Sequence, residues 1–166
     1  MKNTPGKSLI ITLIVVLTFA CEKPGVIYDA ELLNRLMTNS VDTLVYNSSK
    51  HVIEAEVYRN FFPGSSIPTK RPLIAQVSLV NLDSINISTD LDITKMYVIR
   101  DPLIWVSSPS STSSQNIPEF KLNKFSNDGP EWDTNILVDV VLEIWNSVKS
   151  ENYLMIVRDI TIERIE

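Results

Sequence analysis

The chain has 166 residues, of which 44% are hydrophobic and 21% are charged, and its formal net charge is −5. This composition is typical of a globular protein and excludes a disordered or collagen-like chain. Ile, Val and Thr supply 46 of the residues and Ala only 4, which favours a pleated sheet over helices. The single Cys and single His exclude a disulfide, a Cys/His zinc site and a Cys–His nucleophile pair within the chain.

The chain begins with a short apolar leader. The first eight residues carry Lys2 and Lys7 and no acid, and Leu9–Phe19 is an unbroken run of apolar residues and Thr. A basic start, a short apolar stretch and a small residue are typical of a secretory signal peptide. The pattern predicts a signal helix over residues 1–20, cleaved after Ala20. A transmembrane anchor is disfavoured, because a helix needs ~20 apolar residues to cross the bilayer.

The sole thiol, Cys21, directly follows Ala20. Thr18-Phe19-Ala20-Cys21 resembles the lipid-attachment site of bacterial lipoproteins, in which the Cys becomes the first mature residue and carries acyl chains. The resemblance implies a domain anchored by lipid on the periplasmic or extracellular side of a cell-envelope membrane. The alternative is an ordinary signal peptide cut after Ala20, which would leave an exported protein with one unpaired thiol.

Loss of the leader makes the protein more acidic. Lys2 and Lys7 leave with it, so 13 basic residues remain against 20 acidic ones and the net charge becomes −7. An acidic domain is a poor partner for nucleic acid or anionic lipid, so the acyl chains would have to supply membrane attachment. A single chain binds only marginally, whereas the two or three chains of bacterial lipoproteins would hold the domain stably.

The mature chain divides into a tether with a short helix, residues 21–40, and a β domain, residues 41–166. Asp29–Asn39 is the helical segment, with Asp29 as its N-cap. Its apolar residues recur at helical spacing, which predicts one buried face. These residues are Leu32, Leu33, Leu36 and Met37.

Short runs with alternating apolar residues, separated by turn signals, follow along the β domain. They predict strands at Thr43–Tyr46, Val52–Arg59, Leu73–Val80, Thr94–Arg100, Leu103–Val106, Glu119–Phe125, Ile136–Ile144 and Tyr153–Ile165. The last run is long for one strand, and Arg158-Asp159 predicts a bulge within it. Seven or eight strands predict a mainly β fold, an antiparallel immunoglobulin-like β-sandwich, with a small barrel as the alternative. The mature sequence is also similar in general to small exported β-sandwich proteins of bacteria.

Candidate contact residues are the aromatic side chains that lie beside turns. Phe61, Phe62 and Trp132 are the candidates for contact with a ligand or partner. His51 has no second histidine to form a metal site and is expected to be an ordinary hydrogen-bonded or solvated side chain.

Two acidic loops are candidates for calcium sites. Their residues are Asp83, Asp90 and Asp92 in one loop and Asp128, Glu131 and Asp133 in the other. Neither loop has the spacing of an EF-hand, so solvated acids are the simpler interpretation. We expect no catalytic residue, metal or cofactor.

The sequence therefore predicts a lipid-anchored cell-envelope protein that acts as a non-enzymatic binding, assembly or accessory module. Its partner would be an envelope protein or a glycan. Two alternatives remain open: a small exported hydrolase that acts on glycans through loop carboxylates, and an inhibitor-like domain that binds a partner enzyme.

Overall fold

The computed structural model describes residues 25–63, 71–111 and 117–166, so the predicted signal, Ala20 and Cys21 lie outside the described residues. Within them the chain forms one helix and ten strands. In chain order these are β1 (Val26–Tyr28), α1 (Ala30–Asn39), β2 (Leu44–Tyr46), β3 (Ser49–Asn60), β4 (Leu73–Asn81), β5 (Leu91–Arg100), β6 (Leu103–Ser107), β7 (Ser110–Ser111), β8 (Lys121–Ser126), β9 (Leu137–Asn146) and β10 (Glu151–Ile165).

The mainly β prediction is confirmed, and the strands form one curled, open sheet. Their hydrogen-bonded order is β1-β6-β5-β9-β10-β3-β4-β8-β7, with β2 added to β3. The named strands pair antiparallel except for β10 and β3, which run parallel. Val26–Tyr28, which the sequence places in the tether, pairs with β6 instead and adds an edge strand.

The longest strand, β10, joins the two halves of the curled sheet. Its register with β9 shifts between Val157 and Ile160, which confirms the bulge predicted at Arg158-Asp159. Asp159 adopts a left-handed backbone with φ 58°, and its N–H donates to Asp139 Oδ1 at 3.0 Å. A bulge bends a strand and increases its twist. Past the bulge, β10 stays paired with β9 as far as Thr161, opposite Leu137, and then pairs with β3 over Ile162–Ile165.

The main hydrophobic core lies between the two halves of the sheet. It takes alternate residues from each strand, as the period of two in a β-strand requires. Its fully buried members include Ile93, Val98, Val140, Leu142 and Ile144 from one half and Leu73, Ala75, Val77 and Leu79 from the other. The predicted apolar faces of β4 and β9 therefore form the interior.

Helix α1 covers the opposite face of β5, β9 and β10. Asp29 Oδ1 accepts from the N–H of Leu32 at 2.9 Å, which confirms the predicted N-cap. Leu36 is fully buried in a second core cluster with Tyr97, Val141 and Ile156, and the other predicted apolar residues of the helix pack against it. Strand β9 is apolar on both faces because it is covered on both sides. No helix within the three described segments is long and apolar enough to cross a bilayer.

Gly129 follows β8 at a point where the core leaves no room for a side chain. Its N–H donates to the carbonyl oxygen of Leu73 at 3.1 Å. A Cβ at this position would lie 2.7 Å from Leu73 Cβ and 2.8 Å from the ring of Trp105, and both neighbours are fully buried.

We predict that Gly129→Ala lowers the free energy of unfolding by about 1–3 kcal/mol, the usual cost of overpacking a core. Urea unfolding of the variant and of Asn127→Ala, a control at an exposed position two residues earlier, measures the effect. An unchanged midpoint for Gly129→Ala would contradict the packing described here.

Candidate functional site

Phe61 lies just beyond the end of β3, and three arginine side chains surround its ring. The guanidinium carbons of Arg164, Arg71 and Arg59 lie 4.1, 4.6 and 5.3 Å from the ring centroid. All three distances fall within the range of cation–π attraction. We call Arg59, Phe61, Arg71 and Arg164 the Phe61 cluster.

The sheet topology brings these residues together from three separate segments. The parallel register of β10 with β3 places Arg164 opposite Arg59. Antiparallel pairing of β3 with β4 places Leu73 opposite Arg59, so Arg71, two residues earlier, reaches the same end of the sheet. Like charges on paired strands are destabilising unless something offsets them. Here the negative face of the Phe61 ring supplies part of the compensation.

Arg59 is held by backbone carbonyls rather than by a carboxylate. Its Nε donates to the carbonyl oxygen of Arg71 at 2.7 Å, and its Nη1 donates to the carbonyl oxygens of Trp132 at 3.0 Å and Glu131 at 3.5 Å. These bonds tie the end of β3 to the segment before β4 and to the loop before β9. Arg59 is therefore a positioning residue with most of its donors in use.

Few carboxylates lie near these guanidinium groups. Glu166 pairs with Arg164, and Glu131 Oε1 accepts from the backbone N–H of Arg71 at 3.2 Å. Across the described part of the chain, neither Arg59 nor Arg71 has an acidic oxygen within 4.0 Å of its side chain. The sequence places only one acid, Glu22, outside the described residues. The cluster therefore carries an excess of positive charge.

The mutual repulsion within this cluster is appreciable. Any two of the three guanidinium carbons are at most about 10 Å apart, because each lies within 5.3 Å of the centroid of the Phe61 ring. Like charges ~9 Å apart repel by ~0.5 kcal/mol in water and by ~2 kcal/mol at the effective dielectric constant of ~20 near a protein surface. A bound anion would remove this repulsion.

The three aromatic residues singled out in the sequence lie in different surroundings. Phe61 is half-buried under the arginines, and Phe62 is 47% exposed. Trp132 is only 7% exposed and belongs to the main core, with the guanidinium of Arg100 6.0 Å from its ring centroid. Because Arg59 contacts both Phe61 and the backbone of Trp132, these two aromatics lie at the same end of the fold.

The acids of the two acidic loops have different hydrogen-bond or ion-pair partners and do not converge on one point. Asp90 accepts from the hydroxyls of Tyr46 and Ser88, Asp92 pairs with Lys124 at 2.7 Å, and Asp128 accepts from Ser126. Within residues 25–63, 71–111 and 117–166, no three metal-ligating side chains come together as a metal site.

A cavity of about 550 Å³ lies where the two ends of the open sheet approach each other. Ser107 Oγ and Ser126 Oγ, from β6 and β8, are 2.5 Å apart and bridge these ends. Lys95, Phe125 and Asp128 also line the cavity. Its charged groups are one cation and one anion, so it lacks the excess positive charge of the Phe61 cluster.

A scan against protein-family models finds no match to this chain, and searches of the curated proteins and of the solved structures find none either.

His51 is buried in the sheet, with 2% of its surface exposed. Burial lowers its pKa from the ordinary value of 6.5, and the neighbouring backbone of Leu44 and Ser49 and the Asp83 carboxylate offset this only in part. The folded protein therefore holds His51 neutral under conditions in which the unfolded chain binds a proton. Its contribution to stability is complete above pH 6.5 and is lost as the pH falls toward the lower pKa of the folded state.

We predict that the free energy of unfolding falls between about pH 7.5 and pH 5.5 and that part of this fall is absent in His51→Gln. Urea unfolding of both proteins across this range measures the difference. A difference between the two proteins that stays constant with pH would show that His51 does not titrate as described.

Proposed function

We propose that this protein is a lipid-anchored, non-enzymatic binding module of the cell envelope and that the Phe61 cluster is its binding surface. The observation that carries the binding role is the cluster itself: three guanidinium groups on one aromatic ring, with no carboxylate on Arg59 or Arg71 among the described residues. On a chain of net charge −5, such a local excess of cations favours an acidic partner.

An immunoglobulin-like sandwich is part of this proposal, and strand order supports it. The strands from β3 to β10 can be matched in chain order to strands A, B, C, C′, D, E, F and G of such domains. With this match, the half β3-β4-β8-β7 has the spatial order A-B-E-D. The other half, β10-β9-β5-β6, follows the order G-F-C-C′. This architecture presents loops at the two ends of a rigid scaffold, and the Phe61 cluster lies at one of those ends.

The lipid anchor rests on the leader and on Cys21, and the start of the described chain is compatible with it. Gly25 joins the edge of the sheet, where its carbonyl oxygen accepts from the N–H of Val106 at 3.2 Å. Cys21 and Gly25 are four residues apart, a span of at most ~14 Å for an extended chain. A lipid on Cys21 would therefore hold the domain close to the membrane surface.

A binding role accounts for the described side chains better than glycan hydrolysis does. A glycosidase needs two carboxyl groups facing one cleft. The acids of the two loops have separate partners, as at Asp92, which pairs with Lys124, and Asp90, which accepts from Tyr46. The inhibitor-like alternative is a binding role too, and it would be distinguished by the identity of the partner.

We predict that mature protein from native membranes begins at Cys21 and carries the added mass of acyl chains. Cys21→Ser should leave the precursor uncut or release the protein from the membrane, because no thiol remains to be acylated. Intact mass and membrane fractionation measure both effects, and Lys23→Ser is the control that keeps the thiol. Protein that is free of lipid and still begins at Met1 would overturn the anchor.

A further inference from the structure

We propose that Arg71 and Arg164, stacked on Phe61, bind a phosphate group. This inference deepens the proposed function, because it rests on the Phe61 cluster being the binding surface and names the chemistry that the surface recognises.

The first argument is the number of free donors. A guanidinium group carries five N–H donors in a fixed fork. In the described residues, the side chain of Arg71 makes one long bond, from Nη1 to the carbonyl oxygen of Phe61 at 3.5 Å. Arg164 uses its Nε on Glu166. Both side chains therefore retain donors that can form a charge-assisted pair with an oxyanion, whereas Arg59 uses its Nε and Nη1 donors on carbonyl oxygens.

The second argument is the spacing of the groups. The guanidinium groups of Arg71 and Arg164 both lie over the Phe61 ring. The carbons of Arg71 and Arg164 are at most about 9 Å apart, given their 4.6 and 4.1 Å distances to the centroid. Two guanidinium forks that share one tetrahedral phosphate place their carbons at most roughly 8 Å apart, which lies within this limit.

The third argument is charge. Phosphate carries up to two negative charges near neutral pH and offers more acceptor oxygens to two forks than the two oxygens and single charge of a carboxylate do. The Phe61 cluster holds three cations, and two carboxylates lie beside it: Glu166, paired with Arg164, and Glu131, which accepts from the backbone N–H of Arg71. Neither carboxylate pairs with the guanidinium of Arg59 or Arg71, so a bound phosphate would offset positive charge that is otherwise unpaired. The phosphate could be a free ion or part of a lipid headgroup.

The test is a binding titration of the full-length protein in uncharged detergent, by calorimetry. One arm adds inorganic phosphate at constant ionic strength, and the other adds micelles that contain phosphatidylglycerol. Arg71→Gln and Arg164→Gln are the test variants, and a thermal melt of each establishes that it is folded. Arg158→Gln is the matched control, because it removes the same charge from an exposed residue on β10 that pairs with Asp139.

We expect each test variant to weaken phosphate binding by about tenfold or more, the usual effect of losing a charge-assisted hydrogen-bonded pair. Arg158→Gln should change the dissociation constant less than about twofold, because such an exposed ion pair contributes little. Glu166→Gln should strengthen binding, because it removes the acid that competes for Arg164. Binding in the lipid arm alone would identify the headgroup as the source of the phosphate.

Absence of binding in both arms, or an equal loss in the test variants and in Arg158→Gln, would overturn the phosphate assignment. Such a failure is distinguishable from failure of the proposed function. The membrane anchor is tested separately, by the intact mass and membrane fractionation of the wild type and of Cys21→Ser. A protein that is lipidated but does not bind phosphate would therefore contradict only this inference.

Discussion

The parallel pairing of β10 with β3 is the constraint on which the rest of the structure depends. It joins the two halves of the sheet into one hydrogen-bonded surface, and it begins at Ile162, directly after the pairing of β10 with β9 ends at Thr161. Because β9 begins at Leu137, opposite Thr161, β10 extends past its end, and residues Ile162–Ile165 pair with β3 instead. This pairing brings Ile162 into the core and places Arg164 opposite Arg59.

This arrangement concentrates positive charge at one end of an otherwise acidic protein. Four of the six arginines of the chain, Arg59, Arg71, Arg100 and Arg164, stack on Phe61 or Trp132. Arginine suits this role because its planar group can stack on an aromatic face and still offer its edge donors to a ligand. One aromatic ring thus holds several cations in place while leaving part of their hydrogen-bonding capacity available.

The sequence predicted the local features of the fold well. Helix α1, its Asp29 cap, the alternation of β4 and β9 and the bulge at Arg158-Asp159 all depend on residues close together in the chain. Periodicity and turn chemistry report such features directly. The strand boundaries differ by a few residues, for example at β5, where Leu91 begins the strand inside a stretch that appeared too polar.

The Phe61 cluster was predicted only in part. The turn beside Phe61 marked that residue, but its arginines come from segments far apart in the sequence. Each arginine alone looks like an ordinary solvated charge at the end of a strand. Only the β10–β3 register, which no local pattern encodes, brings Arg164 to Arg59. The sequence feature that could have indicated the cluster is that its arginines all lie near the ends of strands. Trp132 was expected beside a turn as a contact residue, but the loop before β9 folds it into the core.

A double-mutant cycle between Phe61 and Arg164 tests the central claim most directly. The unfolding free energies of the wild type, Phe61→Leu, Arg164→Gln and the double variant give the coupling between the two side chains. A ring and a guanidinium whose carbon lies 4.1 Å from the ring centroid should show a favourable coupling of about 0.5–1 kcal/mol. A coupling of zero would mean that β10 does not bring Arg164 onto Phe61, and the binding surface described here would not exist.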